Sequence, residues 1–242
     1  MSTRKRQDSS AEPRTRASFT NGCRLVLILG TDASGKDHVA RLVITHLQRA
    51  GIFLEKRRGW LSAPACAADS SEHKGPGRLF AERLFLRIYP FIAWTLPTAL
   101  TLCILADVLI YRLLRRKPVM VVSHTALRLL AFHMGHDDAF RMPSHLRRAL
   151  AKLRGQGLQT LFVTTERHVR LGRIQDRIRR DKVDHFDLYM ARRPRHGERV
   201  TDALEGIAVE HLQARIIRND AHGDAHIALA LHEIWPAGRS NL

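Results

Sequence analysis

The chain has 242 residues, of which 45% are hydrophobic and 26% charged. That length supports one domain with a sizeable core, and the aliphatic content excludes a disordered chain. Lys and Arg number 40 against 23 Asp and Glu, a formal charge of +17. So basic a balance asks for an anionic partner: nucleotide phosphates, nucleic acid or an acidic membrane surface.

The three cysteines, Cys23, Cys66 and Cys103, are far apart and form neither a metal-type CxxC pair nor a disulfide framework. A reducing, cytoplasmic setting is the expectation. The first twenty residues are polar and basic without the apolar core of a secretory signal. Residues 1–21 read as a flexible basic tail and 22–242 as a single domain.

Taken in order, 24–29 (RLVLIL) is a short apolar run ending at a glycine, the pattern of a buried parallel strand. A helix follows over 35–50, with Val39, Ala40, Val43, Ile44 and Leu47 at helical spacing. Residues 52–57 predict a second strand, and 60–78, rich in Ala, Ser, Gly and Pro, a mobile loop. Helices are expected over 79–88 and 91–116. The stretch 88–106 carries no formal charge, roughly the length that spans a bilayer. Pro90, Pro97, three threonines and Asp107 at its end favour a core helix that touches membrane at most. The cluster Arg112, Arg115, Arg116, Lys117 suits anionic lipid or the solvated end of a helix.

Strands at 118–123, 159–164 and 214–218 alternate with helices at 126–134, 143–154, 166–180, 198–213 and 224–234. Five strands separated by helices predict an α/β fold: a doubly wound, mostly parallel sheet with helices on both faces.

The strongest chemical signal is Gly30-Thr31-Asp32-Ala33-Ser34-Gly35-Lys36-Asp37, a GxxxxGK pattern between a strand and a helix. Glycines let the backbone close around a phosphate, successive amides point inward, and the helix N-terminus adds positive potential. Lys36 would neutralise the terminal phosphates. With His38 completing the turn, Gly30, Thr31, Ala33, Ser34, Gly35, Lys36, Asp37 and His38 are the expected ATP-phosphate residues.

The stretch LVLILGTDASGKDHVARLV resembles the phosphate loop of thymidylate kinases and related nucleoside monophosphate kinases, which commonly reads GxDGSGKST. Asp32 sits at the acidic position that lies beside the acceptor in that family. Ala33 replaces a usual glycine. Asp37 replaces the Ser or Thr that holds Mg²⁺, and could take the ion as a carboxylate. PVMVVSHTALRLLAFHMG is similar to the family's third strand and the helix after it, with Ala131, Phe132 and His133 on the AYQ positions. Ser123 and His124 stand where that family has Asp-Arg. His124 would contact a phosphate there, or the two residues simply end a strand. TLFVTTERHVRLGRIQDRIRRD resembles the strand and Arg-rich lid, about 167–197, in which Arg173 and Arg177 share one helix face. They could clamp the transferring group, or belong to a solvated basic face.

The resemblance implies ATP-dependent phosphoryl transfer to a nucleoside monophosphate or related small acceptor, with ATP and Mg²⁺ as cofactors. Lys36, Asp32, Arg173 and Arg177 would be catalytic, Asp37 the metal residue, and Arg57, Asp107 and His124 the acceptor residues. Lys56-Arg57-Arg58 and Trp60 follow the second strand, near the acceptor or in a surface turn. Asp107 faces the acceptor or meets Arg83 or Arg87. His133, His136, Asp137 and Asp138 hold a weak metal-type spacing. Two other classes remain beside the kinase: a nucleotide-binding protein without transfer, and a basic protein docking on nucleic acid or anionic membrane. Nucleic acid is the weaker partner; a homodimer and a peripheral membrane contact stay open.

Overall fold

The computed structural model describes residues 25–65, 76–114, 118–137, 139–180, 188–189, 192–220 and 223–235. The basic tail, part of the 60–78 loop, Lys117, Asp138 and the centre of the Arg-rich segment lie outside them.

Five strands form one all-parallel sheet: β1 (Leu25–Gly30), β2 (Glu55–Arg58), β3 (Val119–Val122), β4 (Leu158–Thr164) and β5 (Arg215–Arg218), in the order β2-β3-β1-β4-β5. The helices are α1 (Lys36–Arg49), α2 (Pro76–Ile92), α3 (Leu96–Leu114), α4 (Thr125–His136), α5 (Ser144–Arg154), α6 (Arg167–Arg179), α7 (Pro194–Gly206) and α8 (Ala225–Ile234). β1 is central and wholly buried. Its side chains alternate between faces, so they found two cores. Leu25, Leu27 and Leu29 join Val119, Val121 and Phe162 beneath α3, α4, α5 and α7. Val26 and Ile28 join Met120, Val122 and Ile217 beneath α1 and α8. The strand order reverses direction beside β1, and ligands of open α/β sheets bind at that switch, outside the carboxyl ends of the strands.

Three boundaries differ from the sequence reading. β2 is Glu55–Arg58 rather than 52–57, because Ile52 and Leu54 pack against the α1/α8 core while the edge strand itself is charged. The break expected between helices at 79–88 and 91–116 falls later: α2 ends at Ile92, and turns at 93–95 precede α3. α2 accommodates Pro90 and begins earlier than expected, and Pro97 lies in the first turn of α3, where its missing N–H costs no helical bond. The helix expected over 198–213 begins at Pro194, ends at Gly206 and widens into a π-helical turn, Ile207–His211.

α3 is long and apolar enough to cross a membrane by length and composition. Here one face of it, Leu96, Leu100, Ile104, Val108 and Tyr111, is part of the core and packs on α4 and α5.

α4 and α7 pack closely. A Cβ built on Gly135 would stand 2.6 Å from Val200 Cγ2 and 3.0 Å from its backbone nitrogen. Gly135→Ala is expected to cost about 1–3 kcal/mol through overpacking, read as a lower urea midpoint with an unchanged slope.

Candidate phosphate-binding site

The site grows from the need to end β1 and start α1 within five residues. Ala33 and Gly35 adopt left-handed φ of 62° and 80°. Gly30 meets a different constraint, since a Cβ there would lie 2.5 Å from the Val163 carbonyl oxygen of β4 and 2.8 Å from Ser34 Oγ. The Lys36 and Asp37 amides precede the first intrahelical bonds, which run from His38 and Val39 N–H to the Gly35 carbonyl. They open toward the loop as an anion-binding end. Ser34 Oγ is buried within the turn and has no hydrogen-bond partner among the described residues.

The far half of the sheet pins the turn. Asn219, just after β5, donates from Nδ2 to the Ser34 carbonyl at 2.8 Å. Arg173 of α6 donates from Nη1 to the Ala33 carbonyl and from Nη2 to the Asn219 carbonyl, both at 3.3 Å. Lys36 Nζ donates to the Thr31 carbonyl and to Asp32 Oδ1, each at 3.3 Å. Arg128 of α4 reaches Asp32 Oδ2 at 2.7 Å. Arg170 of α6 belongs to the same field: burial lowers its pKa, against the raising influence of Glu198, Asp202 and Asp32. Three elements thus deliver cations to one short loop.

Asp32, Lys36 and Arg173 are brought together as sequence placed them, and Arg177 follows one turn farther along α6. His38 is turned to α8, its Nε2 2.6 Å from Asp224 Oδ1. Arg128 was missed: in sequence it is a lone cation in an apolar helix, and its partner lies 96 residues away. The only available signal was its position one turn into the helix that follows β3.

Asp37 is an ion-pair partner here, with Arg58 Nη2 at 2.7 Å and Lys56 Nζ at 3.8 Å from its Oδ1. Asp32 is likewise matched by Lys36 and Arg128. A hard dication wants oxygen donors, yet two fixed cations beside Asp37 repel it. As arranged, these side chains do not fit Mg²⁺.

Arg57, Asp107 and His124 also converge, but inward. All three are nearly or wholly buried. Asp107 accepts from Leu61 N–H and Ser62 N–H at 2.9 Å, from Ser62 Oγ at 2.6 Å and from His124 Nε2 at 3.1 Å. It meets neither Arg83 nor Arg87. Arg57 donates to the Leu61 carbonyl and, at 2.7 Å, to Glu55 Oε2. Trp60 packs edge-on to His124, with ring centroids 5.5 Å apart. These groups hold the turn after β2 against α3 and α4. A role at an acceptor would be indirect, through that turn. Ser123, next to His124, has φ 58° and a buried Oγ without a partner among the described residues.

Beyond Arg128, α4 runs on to a cavity of about 840 Å³ lined by Leu86, Tyr89, Trp94, Phe132, His133 and His136 among others. Phe132 and His136 are four and eight residues past Arg128, about 6 and 12 Å along the helix. Arg193 Nη1 donates to Tyr189 Oη at 2.5 Å, and that oxygen lies 2.9 Å from His136 Nε2. The His136 Nδ1 is 3.1 Å from the Phe132 carbonyl, which can only accept, so Nε2 accepts from Tyr189. Burial lowers the pKa of His133 and His136, and of neighbouring His196 to about 4, while burial lifts Tyr89 to about 12. The cavity wall is therefore largely aromatic, with the Asp137 carboxylate and Arg193 as its charged members. Among the described residues no group of three metal-ligating side chains forms, at 133–137 or elsewhere.

A five-stranded parallel sheet in this order, with a phosphate-type loop between its central strand and first helix, defines a P-loop kinase-like α/β fold. The chain is similar to a solved deoxyadenosine kinase from M. mycoides with bound dATP: 11% identity, TM-score 0.46, over 87% of this chain and 98% of that one. No family model matches it, and no curated protein matches it in sequence. A likeness so distant carries no residue's role across.

Burial pushes the Asp107 pKa up, but the hydrogen bonds from His124, Ser62 and Leu61 outweigh it and hold the carboxyl below its ordinary 3.8. A depressed folded pKa means that its stabilisation is complete above the unfolded value and is lost as pH falls through the folded one. Asp107→Ala should cost about 2–4 kcal/mol at neutral pH, because it strands buried donors. It should also flatten the loss of stability below about pH 4, both read by urea denaturation across pH.

Proposed function

We propose that the chain binds ATP at Gly30–Lys36 and transfers its terminal phosphoryl group to a nucleoside monophosphate or similar small acceptor, in the manner of a thymidylate-kinase-like enzyme. The observation that carries this reading is the convergence of Lys36, Arg128 and Arg173 on a loop whose backbone is already wound for a phosphate. The cavity along α4 supplies the second half: a largely aromatic hollow with Asp137 and Arg193 in its wall, suited to a nucleobase and one to two helical turns past Arg128.

In the transfer, the bond between the terminal phosphorus and the ADP oxygen breaks as the acceptor oxygen bonds to that phosphorus. Lys36 and the loop amides hold the departing diphosphate, and Arg128 and Arg173 spread the charge of the transferring group. A monophosphate oxygen is already anionic and needs no base. A hydroxyl acceptor would give its proton to Asp32, the carboxylate nearest the loop. The work is positioning and charge neutralisation.

A second reading, nucleotide binding without turnover, draws on the pairing of both loop carboxylates with cations. An ATP-consumption screen over nucleoside monophosphates and nucleosides, alongside calorimetric ATP titration, separates the two. Turnover with one acceptor supports transfer; tight ATP binding with no turnover on any acceptor supports the second reading; no ATP binding sinks both. Where turnover is found, Lys36→Ala should lower kcat about a hundredfold or more, with a melting temperature within about 4 °C of the parent. Arg128→Ala should lower kcat less severely, since Lys36 still holds Asp32.

A further inference from the structure

We infer that the outer face of α2 and α3 is a docking surface for an anionic lipid bilayer, with the helices lying in the plane of the interface. This does not depend on the phosphoryl-transfer reading. The exposed positions of α3 are Thr98, Ala99, Leu102, Cys103, Ala106, Leu109, Ile110 and Leu113, with Arg112 at the end. They recur every three to four residues, so they form one stripe about 22 Å long. On α2, Phe80, Leu84 and Ile88, four residues apart and so on one helix face, are exposed as well. At the corner between the helices Phe91 and Trp94 project furthest, 79% and 83% exposed. Soluble domains rarely leave so many large apolar groups contiguous in water.

Two observations choose the occupant. The first is charge. The exposed ionic side chains described on α2 and α3 are Arg83, Arg87 and Arg112, all cations, and Asp107 is turned into the core. The sequence adds Arg115, Arg116 and Lys117 just past α3, against Glu82 on α2. A second copy meeting this face about a two-fold axis would set these cations against their own kind; anionic headgroups answer them, each at about 1 kcal/mol. The second is shape. The inner face of α3 is the domain core, so the helix cannot leave to cross a membrane. An apolar stripe flanked by arginines with Trp and Phe at its tip is the pattern of a helix that lies in the interface.

The test is flotation of the full chain with phosphatidylcholine vesicles containing about 30% phosphatidylglycerol, and with pure phosphatidylcholine. Binding to the anionic vesicles, weak binding to the neutral ones, and an about tenfold loss in Phe91→Ser/Trp94→Ser are expected. Both replaced side chains are exposed, so circular dichroism and thermal melting should be unchanged. Arg83→Gln/Arg87→Gln, which leaves the apolar tip intact, should weaken anionic binding and reduce its salt sensitivity. The inference is overturned if the parent binds neither vesicle, or if the Phe91/Trp94 variant floats as well as the parent. It is also overturned if light scattering shows a dimer that this variant dissociates.

Discussion

Everything at the candidate site depends on how β1 becomes α1. Five residues must turn the chain, present amides inward and leave no side chain in the way. That requires left-handed backbone at Ala33 and Gly35 and a missing Cβ at Gly30, where β4 presses close. A turn so wound is not stable by itself, because Ala33 is held where alanine is disfavoured. Its stability is borrowed from a distance: Asn219 after β5 and Arg173 on α6 fasten the Ser34 and Ala33 carbonyls. The β4–β5 half of the sheet thus serves the loop as well as the core. The two carbonyls tied outward leave the amides on the inner side, which is the orientation an anion needs.

The other half of the sheet solves a different problem. The turn after β2 has to be kept beside the loop, and a polar network does this from below. Arg57 and Asp107 are both withdrawn from water, an expensive arrangement unless every strong group finds partners. Asp107 finds four, and Arg57 finds a carbonyl and Glu55, which leaves only Arg57 Nε and His124 Nδ1 of this network buried without a partner among the described residues. A hydrophobic turn would be easier to bury, so the network makes sense as a device for location. It fixes Gly59, which exchanges backbone bonds with Val122 and Thr125, and so fixes Arg58 against Asp37.

How much of this could be read from sequence follows from range. The phosphate loop is local: strand, glycines, lysine and helix fall within one window, and the fold class follows from the alternation of apolar strands and helices. β2 slipped because an edge strand reading EKRR carries no apolar period, while the apolar Ile52 and Leu54 belong to the core beneath it. The α2–α3 corner was expected near residue 89 and lies at 93–95, because α2 carries on through Pro90 and an uncharged run offers hydropathy no mark for the exact place. Asp107 was correctly suspected of having a partner, but that partner is backbone 46 residues away, invisible to any pattern of charges. Arg128 was hidden for the same reason. The cavity of aromatic rings and histidines assembles from α2, the corner that follows it, α4 and the side chains of Phe140, Tyr189 and Arg193, pieces whose adjacency exists only in the fold.

The loop's electrostatics show why carboxylates stand so near a site built for an anion. Lys36, Arg128, Arg170 and Arg173 crowd together, and burial already weakens the hold of Arg170 on its proton. Left to themselves such cations repel one another. Asp32 between Lys36 and Arg128, and Asp37 beside Arg58 and Lys56, supply the negative charge that keeps them in register. A triphosphate offers the same cations more charge and more acceptor oxygens than either carboxylate can. It therefore competes for partners already aimed at the loop, and the ordering cost falls mainly on exchanging one anion for another rather than on gathering loose side chains. The substitution at Asp37, read from sequence as a weakened metal residue, thereby acquires a second physical sense as a tether for Arg58 at the loop's edge.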